Sequence, residues 1–154
     1  MEINSFEKDR WSEQDKQNSK VALEFLNNLM NEHNFELIEK QYEAVKYLQH
    51  NRNVKDGISG AIQYFKTLTK RFPDFAYEVK SVLVDGDYVS IHSHATMNRK
   101  HRGNERKGFN ITDTWRVEDG KLVEHWDAIQ PLDNFMRFYY WMSGGTINNK
   151  NGLF

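Results

Sequence analysis

Two acidic residues and one histidine near the end of the chain have the types and spacing that acid–base chemistry needs. Asp113 lies in a stretch of alternating apolar and polar residues, and His125 and Asp127 lie in the next such stretch. If these stretches are neighbouring strands, the three side chains can share one apolar face. A carboxylate on such a face loses hydration, which raises its pKa and allows it to take and return a proton. The alternative is a buried hydrogen-bonded set with a structural role alone.

The turn between the two strands decides whether these side chains share a face. A two-residue turn at 119–120 would send Asp113 and Asp127 to opposite faces. A three-residue turn at 118–120 would place Asp113 directly opposite His125, with Asp127 as their diagonal neighbour. A slip of one residue exchanges the faces of a whole strand, and the longer turn separates apolar from polar residues more cleanly. We therefore predict the three-residue turn.

A second group of polar side chains lies in a segment without clear periodicity. The segment 47–51 connects two predicted helices and contains His50 and Asn51, which can donate hydrogen bonds to a carbonyl oxygen. Functional residues are enriched in irregular connections, although a single histidine in a loop is more often merely exposed. The pair becomes part of a site if this segment lies at the open end of the sheet.

Two further histidines, His92 and His94, fall on one face of a predicted strand, as two metal ligands would. Together with Gly86 they resemble the first half of a cupin motif. Asn98 and Arg99 stand where that motif requires a glutamate, so the resemblance ends there. A metal-dependent enzyme is the rival interpretation of this pair. We predict a polar outer strand face and no metal site.

The first half of the chain is predicted to be helical. Apolar residues recur at helical spacing in 19–32, 35–45 and 57–71. Ser19 and Asn34 have the side chains that cap helix N-termini, so we predict that they begin the first two helices.

The second half is predicted to form a sheet. From Phe75 onward the period becomes two, and Asp85–Gly86 is a hairpin turn signal like Asp119–Gly120. Helices followed by strands predict an α+β domain with three N-terminal helices packed on an antiparallel sheet. We assign residues 1–18 to a loose polar arm and residues 19–154 to a single domain.

Composition excludes several functional classes. The 154 residues carry a net charge of −1, which is not the basic excess of a nucleic-acid-binding protein. The chain has no cysteine, which removes disulfides, thiolate metal sites and cysteine nucleophiles. No apolar run approaches the roughly 18 residues of a membrane span. We expect a cytoplasmic protein that binds neither nucleic acid nor membrane.

The segment 135–142 is unusually aromatic for a chain end. Exposed apolar surface of this extent is costly in water, so we expect the segment to cover the sheet or a second subunit. We predict a homodimer on this ground.

Several segments in combination resemble the SnoaL-like polyketide cyclases, and more narrowly the bacterial SnoaL-like aldol-condensation enzymes. The resemblance implies the nuclear transport factor 2-like fold, a cone of three helices and a curved antiparallel sheet around a deep cavity, with dimers as the usual assembly. It runs from about residue 20 to the end of the chain and rests on Tyr47–Asn51, Asp85–Asp87 with Val89 and His92, Asp113–Arg116, Gly120–Asp127, Ile129–Pro131 and Asn151–Phe154.

The resemblance also implies a mechanism. In characterised cyclases of this family, a carboxylate at the position that matches Asp127 is the general acid and base of an intramolecular aldol closure, without metal or organic cofactor. The position that matches Asp113 is a histidine in those cyclases, so this chain departs from the pattern there. The fold hosts binding modules as well as enzymes.

Two hypotheses follow for the function. In the first, the protein is a cofactor-free acid–base enzyme acting on a small carbonyl compound, as an aldol-type cyclase, lyase or isomerase, with Asp127, His50 and Asp113 as catalytic residues. The substrate would then contact Tyr47, Asn51, Trp115 and His125, of which Tyr47 and Trp115 provide apolar walls. In the second, the same pocket binds a small apolar or carbonyl-containing ligand without chemistry.

Overall fold

Helices and strands are described for residues 2–143 of this computed structural model. Three N-terminal helices pack against a five-stranded sheet, which confirms the predicted α+β arrangement. The helices are α1 (Glu13–Leu26), α2 (Phe35–Tyr42), α3 (Ile58–Arg71) and, after the sheet, α4 (Asn134–Met142). The strands are β1 (Leu48–Gln49), β2 (Ala76–Asp85), β3 (Tyr88–Thr96), β4 (Phe109–Glu118) and β5 (Lys121–Pro131).

The sheet has the strand order β1-β5-β4-β3-β2. The four long strands are antiparallel to their neighbours, as predicted, and the two-residue strand β1 runs parallel to β5. The inner face of the sheet buries Val89, Ile91 and Trp115, and Phe25 of α1 packs on the Trp115 ring. None of the helices in the described part of the chain is long and apolar enough to cross a membrane.

Helix α1 begins earlier than the predicted start at Ser19. The side chain of Ser12 accepts a hydrogen bond from the backbone N–H of Asp15, and the Asp15 carboxylate accepts one from the backbone N–H of Ser12, which together form a capping box. Trp11 is buried in the core, and the amide of Asn18 donates to the carbonyl oxygen of Gly86. The prediction of a loose arm up to residue 18 is therefore wrong for these residues, because their polar sequence hid a well-capped first turn.

The next two helices lie close to their predicted positions. Asn34 caps α2, as predicted, and its side chain accepts a hydrogen bond from the N–H of Leu37. Helix α2 ends at Tyr42, three residues before the predicted end at 45. The predicted helix 57–71 corresponds to α3, which begins at Ile58.

The turn between β4 and β5 corrects the predicted register. Glu118 pairs with Lys121, so the turn contains two residues, Asp119 and Gly120, and both have positive φ angles, 49° and 69°. Two successive positive φ values are typical of a type I′ turn, which matches the twist of the flanking strands. The predicted three-residue turn is therefore wrong.

A β-bulge next to this turn nevertheless brings the acidic residues together. Val117 pairs with Leu122, whereas Arg116 pairs with Glu124, so Val123 is an extra residue in β5. Beyond the bulge, Asp113 lies directly opposite Asp127, and Trp115 lies opposite His125. Asp113, His125 and Asp127 therefore share one face, as predicted. The direct neighbour of Asp113 is Asp127 and the diagonal one is His125, which is the reverse of the prediction.

The aromatic C-terminal segment forms α4 and exposes most of its apolar side chains. Trp141 is 74% exposed, and its ring lies 6.0 Å from that of Phe138. Phe135 and Met142 are exposed as well. Residues 144–154, which complete the predicted dimer segment, lie outside the described residues. The homodimer stays a prediction, and this face of α4 is the surface that motivates it.

We expect the protein to be a dimer at micromolar concentration, because burying this face removes a large apolar area from water. Replacing both Phe138 and Trp141 by Glu should convert the dimer to a monomer, as measured by light scattering. The matched control is Leu83→Glu on β2, since Leu83 is also an exposed apolar residue. A wild-type monomer, or equal effects of the two variants, would contradict the prediction.

Candidate active site

A cavity of about 360 Å³ lies between α3, α4 and the inner face of the sheet. Its walls are mostly apolar and aromatic, and they include Phe65, Phe75 and Ile111. Five polar residues form its floor, namely Gln49, Asn51, Asp113, His125 and Asp127. An apolar cavity with a few converging polar groups is the usual form of a small-molecule site.

A larger hollow of about 600 Å³ lies at the edge strand β2 and includes Glu78, His94 and Arg102. It is more open than the cavity above. Among the described residues, one group of three acidic and histidine side chains has its donor atoms close together. This group lies on the floor of the smaller cavity. The smaller cavity is therefore the candidate active site.

His125 is fixed between two oxygen atoms. Its Nδ1 lies 3.0 Å from Oε1 of Gln49, and its Nε2 lies 3.0 Å from Oδ1 of Asp113. Oε1 of Gln49 also accepts the backbone N–H of Asn51, so it is an acceptor and Nδ1 of His125 must donate to it. One proton is left to lie between Nε2 and Asp113. Whichever of the two holds it, the pair has no net charge.

Asp113 is almost fully buried, with 1% of its surface exposed. Burial raises the pKa of its carboxyl group, the hydrogen bond and charge of His125 oppose the rise, and the charge of Asp127 adds to it. The second carboxyl oxygen, Oδ2, is buried and has no hydrogen-bond partner within the described residues. This buried carboxyl therefore favours its neutral form and keeps one oxygen uncommitted.

Asp127 differs from Asp113 in exposure and in partner. It is half-buried, lines the cavity, and its Oδ2 accepts a hydrogen bond of 2.5 Å from the side-chain amide of Asn51. Strand β1 and the residues after it thus hold both residues of β5, with Gln49 bonded to His125 and Asn51 bonded to Asp127. The predicted grouping of Asp113, His125 and Asp127 is present in the structure, with Asn51 beside it.

His50 lies on the other side of the sheet, which corrects its predicted place in the cavity. Its Nε2 lies 2.9 Å from Oε1 of Glu124, and its ring stacks on Trp126 at 4.7 Å. Side chains alternate between the faces of an extended segment, so Gln49 and Asn51 point inward where His50 points outward. Sequence analysis missed Gln49, because a strand as short as β1 shows no evident period.

Tyr47 and Trp115 are also displaced from their predicted roles as cavity walls. Both are buried in the core and are absent from the cavity lining. The Trp115 ring stacks on His125 at 4.9 Å, and its indole N–H donates to the hydroxyl of Tyr47 at 3.2 Å. They support His125 from behind because their side chains fill the space between the sheet and α1.

Tyr77 is a cavity residue to which the sequence analysis assigned no role. It lies on β2, lines the cavity, and forms no hydrogen bond through its hydroxyl within residues 2–143. Burial raises its pKa well above the ordinary value for tyrosine, and the charges of Asp113 and Asp127 add to the rise. The hydroxyl therefore remains protonated and available as a donor. The alternation of Phe75, Tyr77 and Val79 in the sequence was the signal for its inward position.

Three of the floor residues, Asp113, His125 and Asp127, are the one group in the described part of the chain whose side chains could hold a metal ion. The donor atoms of Asp113, His125 and Asp127 lie within 4.8 Å of one another. The ring nitrogens of His125 already face two acceptors, so the observed arrangement is that of a hydrogen-bonded set.

His92 and His94 do not belong to such a set. Nε2 of His92 donates to the side-chain oxygen of Asn110, and Nε2 of His94 donates to the carbonyl oxygen of Lys107 at 2.7 Å. No third metal-ligating side chain of the described residues joins them.

Comparisons with known proteins agree with this architecture. The model of the SnoaL-like polyketide cyclase family matches residues 20–135. No curated protein sequence matches significantly. A solved structure of a putative polyketide cyclase from Bacillus cereus ATCC 10987 is 22% identical, covers 75% of each chain and superposes with a TM-score of 0.62.

Two further solved structures have the same fold. AclR from Streptomyces galilaeus, described as a putative hydroxylase, is 21% identical over 81% of this chain and 86% of its own, with a TM-score of 0.63. A nuclear transport factor 2-like protein of unknown function from Mesorhizobium loti is 17% identical over 79% of this chain and 97% of its own, with a TM-score of 0.60. At these identities the likeness shows the fold alone.

The buried carboxyl of Asp113 predicts how stability depends on pH. Its pKa is raised in the folded protein, so the folded state binds the proton more tightly than the unfolded chain, in which Asp titrates near about 3.9. Its contribution to stability is therefore complete below that value and is lost as pH rises through the folded-state pKa.

Asp113→Asn removes this dependence. The free energy of unfolding of the variant, relative to wild type, should rise as pH increases from about 4 upward, in urea denaturation at a series of pH values. Asp9→Asn is the control, because Asp9 is exposed and does not line the cavity. Curves that stay parallel for wild type and Asp113→Asn would show that the carboxyl does not titrate as described.

Proposed function

The chain belongs to the SnoaL-like polyketide cyclase family, and we propose that it is a cofactor-free acid–base enzyme acting on a small carbonyl compound, as an aldol-type cyclase, lyase or isomerase. One observation carries the proposal. A half-buried carboxylate, Asp127, lines an apolar cavity beside a buried pair, Asp113 and His125, that shares one proton without net charge. A molecule bound in the cavity would therefore lie beside a base, Asp127, and beside a neutral pair that holds a proton, Asp113 and His125.

Asp127 is the general base of the proposed reaction. Its carboxylate removes a proton from the carbon next to a carbonyl group, and the electron pair of that C–H bond forms an enolate. In an aldol closure the enolate carbon attacks a second carbonyl of the same molecule, so a C–C bond forms and an alkoxide develops. Asp127 then returns its proton to the alkoxide oxygen, and the enzyme regains its starting state.

The enolate oxygen needs a hydrogen-bond donor that is already in position. Tyr77 provides one, because it lines the cavity and its hydroxyl has no partner within the described residues and stays protonated. A single donor of this kind in an enclosed site contributes about 3 kcal/mol to the transition state.

The shared proton of Asp113 and His125 also protects the charge of Asp127. Two ionised carboxylates on neighbouring strands would repel each other, and one of them would be forced to take up a proton. Because the Asp113–His125 pair is neutral, Asp127 is the single negative charge on the cavity floor. The amide of Asn51 orients this carboxylate without adding a charge.

The alternative is a binding module of the same fold. In such a protein we would expect Asp127 to be tied down by a cation. No Lys or Arg of residues 2–143 forms an ion pair with Asp127, and its described partner is a neutral amide. The lack of a cationic partner for Asp127 among these residues favours the enzyme over the binding module. We further propose a cytoplasmic homodimer, for which the lack of cysteine and the exposed aromatic face of α4 are the support.

Exchange of α-protons tests the function without knowledge of the natural substrate. Wild-type protein in D₂O should catalyse deuterium incorporation next to the carbonyl of a suitable aryl ketone, followed by NMR. Asp127→Asn keeps the shape of the side chain and removes the base, so exchange should slow by about 10²-fold or more. Asp119→Asn in the hairpin turn is the control and should behave as wild type.

Binding of the ketone separates the two functions. Asp127→Asn should still bind the ketone with an affinity close to that of wild type. Binding without any exchange across a panel of ketones, in wild type as well as in the variant, would support the binding module instead.

The role of Tyr77 gives a second test. Tyr77→Phe removes one hydroxyl and leaves the ring, so exchange should slow by about 10²-fold while the ketone still binds. Tyr88→Phe, on the outer face of the sheet, is the matched control. Equal exchange rates for Tyr77→Phe and wild type would show that the enolate oxygen lies elsewhere.

A further inference from the structure

A single cationic side chain occurs among the described residues that line the cavity. It belongs to Arg71, the last residue of α3. Arg71 is exposed, whereas Asp113 and His125 are buried, so the guanidinium lies at the rim and the acidic group lies at the floor. The cavity therefore has a positive entrance and a negative base, separated by apolar walls.

Aromatic contacts hold the guanidinium in place. It lies 5.4 Å from the ring centre of Phe72 and 4.9 Å from that of Tyr139, and its NH1 donates to the Tyr139 hydroxyl at 2.7 Å. Stacking on two rings restricts a side chain that is otherwise flexible, which lowers the entropy lost when a ligand binds it.

No carboxylate in the described part of the chain neutralises the charge of this guanidinium. Within residues 2–143 no carboxylate forms an ion pair with Arg71, and one of its five N–H donors is used by Tyr139. Arginine with free parallel N–H groups binds a carboxylate through two hydrogen bonds. A cation prepared in this way at the mouth of an apolar cavity is suited to an anionic group of the ligand.

The two ends of the cavity would act together on such a ligand. The carboxylate of Asp127 repels an anion from the floor, and Arg71 attracts it to the rim. A molecule with a carboxylate at one end and a carbonyl at the other would therefore enter with its carbonyl toward Asp127 and Tyr77. Repulsion from the floor sets the orientation of the ligand, and attraction at the rim supplies the affinity.

We propose that Arg71 determines specificity and selects small apolar carbonyl compounds that carry a carboxylate at the end remote from the reacting carbonyl. This inference rests on the proposed function for the reaction at the cavity floor, in which Asp127 removes the proton. The selection at the rim depends on Arg71 alone.

Two probes of nearly equal shape test the selection. They are 4-acetylbenzoate, which is anionic, and 4-acetylbenzamide, which is neutral, and their dissociation constants are measured by calorimetry at low salt. Wild-type protein should bind the benzoate at least about tenfold more tightly than the amide. Arg71→Gln should remove this difference by weakening the benzoate alone, and Arg71→Lys should restore part of it, because a point charge replaces the bidentate group.

Lys70→Gln is the matched control, because Lys70 is the preceding exposed residue of α3 and does not line the cavity. It should leave both affinities unchanged. Equal binding of the two probes by wild type, or no binding of the benzoate at millimolar concentration, would overturn the proposal. So would an equal loss for both probes in Arg71→Gln, or the same loss in Lys70→Gln.

The same assay on Asp127→Asn separates this proposal from the proposed function. The preference for the benzoate should persist in that variant, since Arg71 is unchanged. A preference that persists while wild type shows no proton exchange would support selection at Arg71 and reject the enzyme. Proton exchange without any preference would reject Arg71 as the selecting residue and leave the enzyme standing.

Discussion

The bulge at Val123 reverses the faces of β5 between Leu122 and His125. Without this extra residue the ladder would continue from Val117–Leu122 in regular register, and Asp127 would point to the outer face of the sheet. With it, Leu122 fills the core at one end of the strand while His125 and Asp127 face the cavity at the other. The core and the site thus make opposite demands on one strand, and the bulge satisfies both.

His125 occupies a position in this register where its contacts fix the charge of the Asp113–His125 pair. Trp115 stacks on its ring, Gln49 receives its Nδ1 proton, and Asp113 shares the proton at Nε2. Burying two opposite charges at this depth would cost hydration that their attraction only partly returns, whereas a shared proton allows a neutral pair. The two-residue strand β1 is important for this state, because its pairing with β5 places Gln49 beside His125.

Much of this arrangement could be predicted because it depends on long periodic patterns. The helices α2 and α3 and the four long strands have clear periods, and the alternation in β4 already identified the inward face that carries Asp113. The bulge could not be predicted, since Val123 has no property that distinguishes an extra residue from a paired one. β1 is too short for its period to be evident, which is why His50 was assigned to the cavity and Gln49 was not. Arg71 and Tyr77 were assigned no role because their place in the cavity lining depends on the packing of α3 and β2, which the sequence pattern does not show.

The residue type at position 113, next to Asp127, distinguishes this site from the pattern that the family resemblance implies. Where the resemblance to characterised cyclases implies a histidine at position 113, this chain has a buried carboxyl, and its imidazole is supplied by His125 on the neighbouring strand. An imidazole facing the cavity could serve as a second base. A carboxyl whose pKa is raised by burial instead favours its protonated form, and here it shares that proton with Nε2 of His125. The cavity floor then contains one carboxylate able to act as a base, Asp127, beside a neutral Asp113–His125 pair, and the different environments of the two carboxyl groups assign them these different roles.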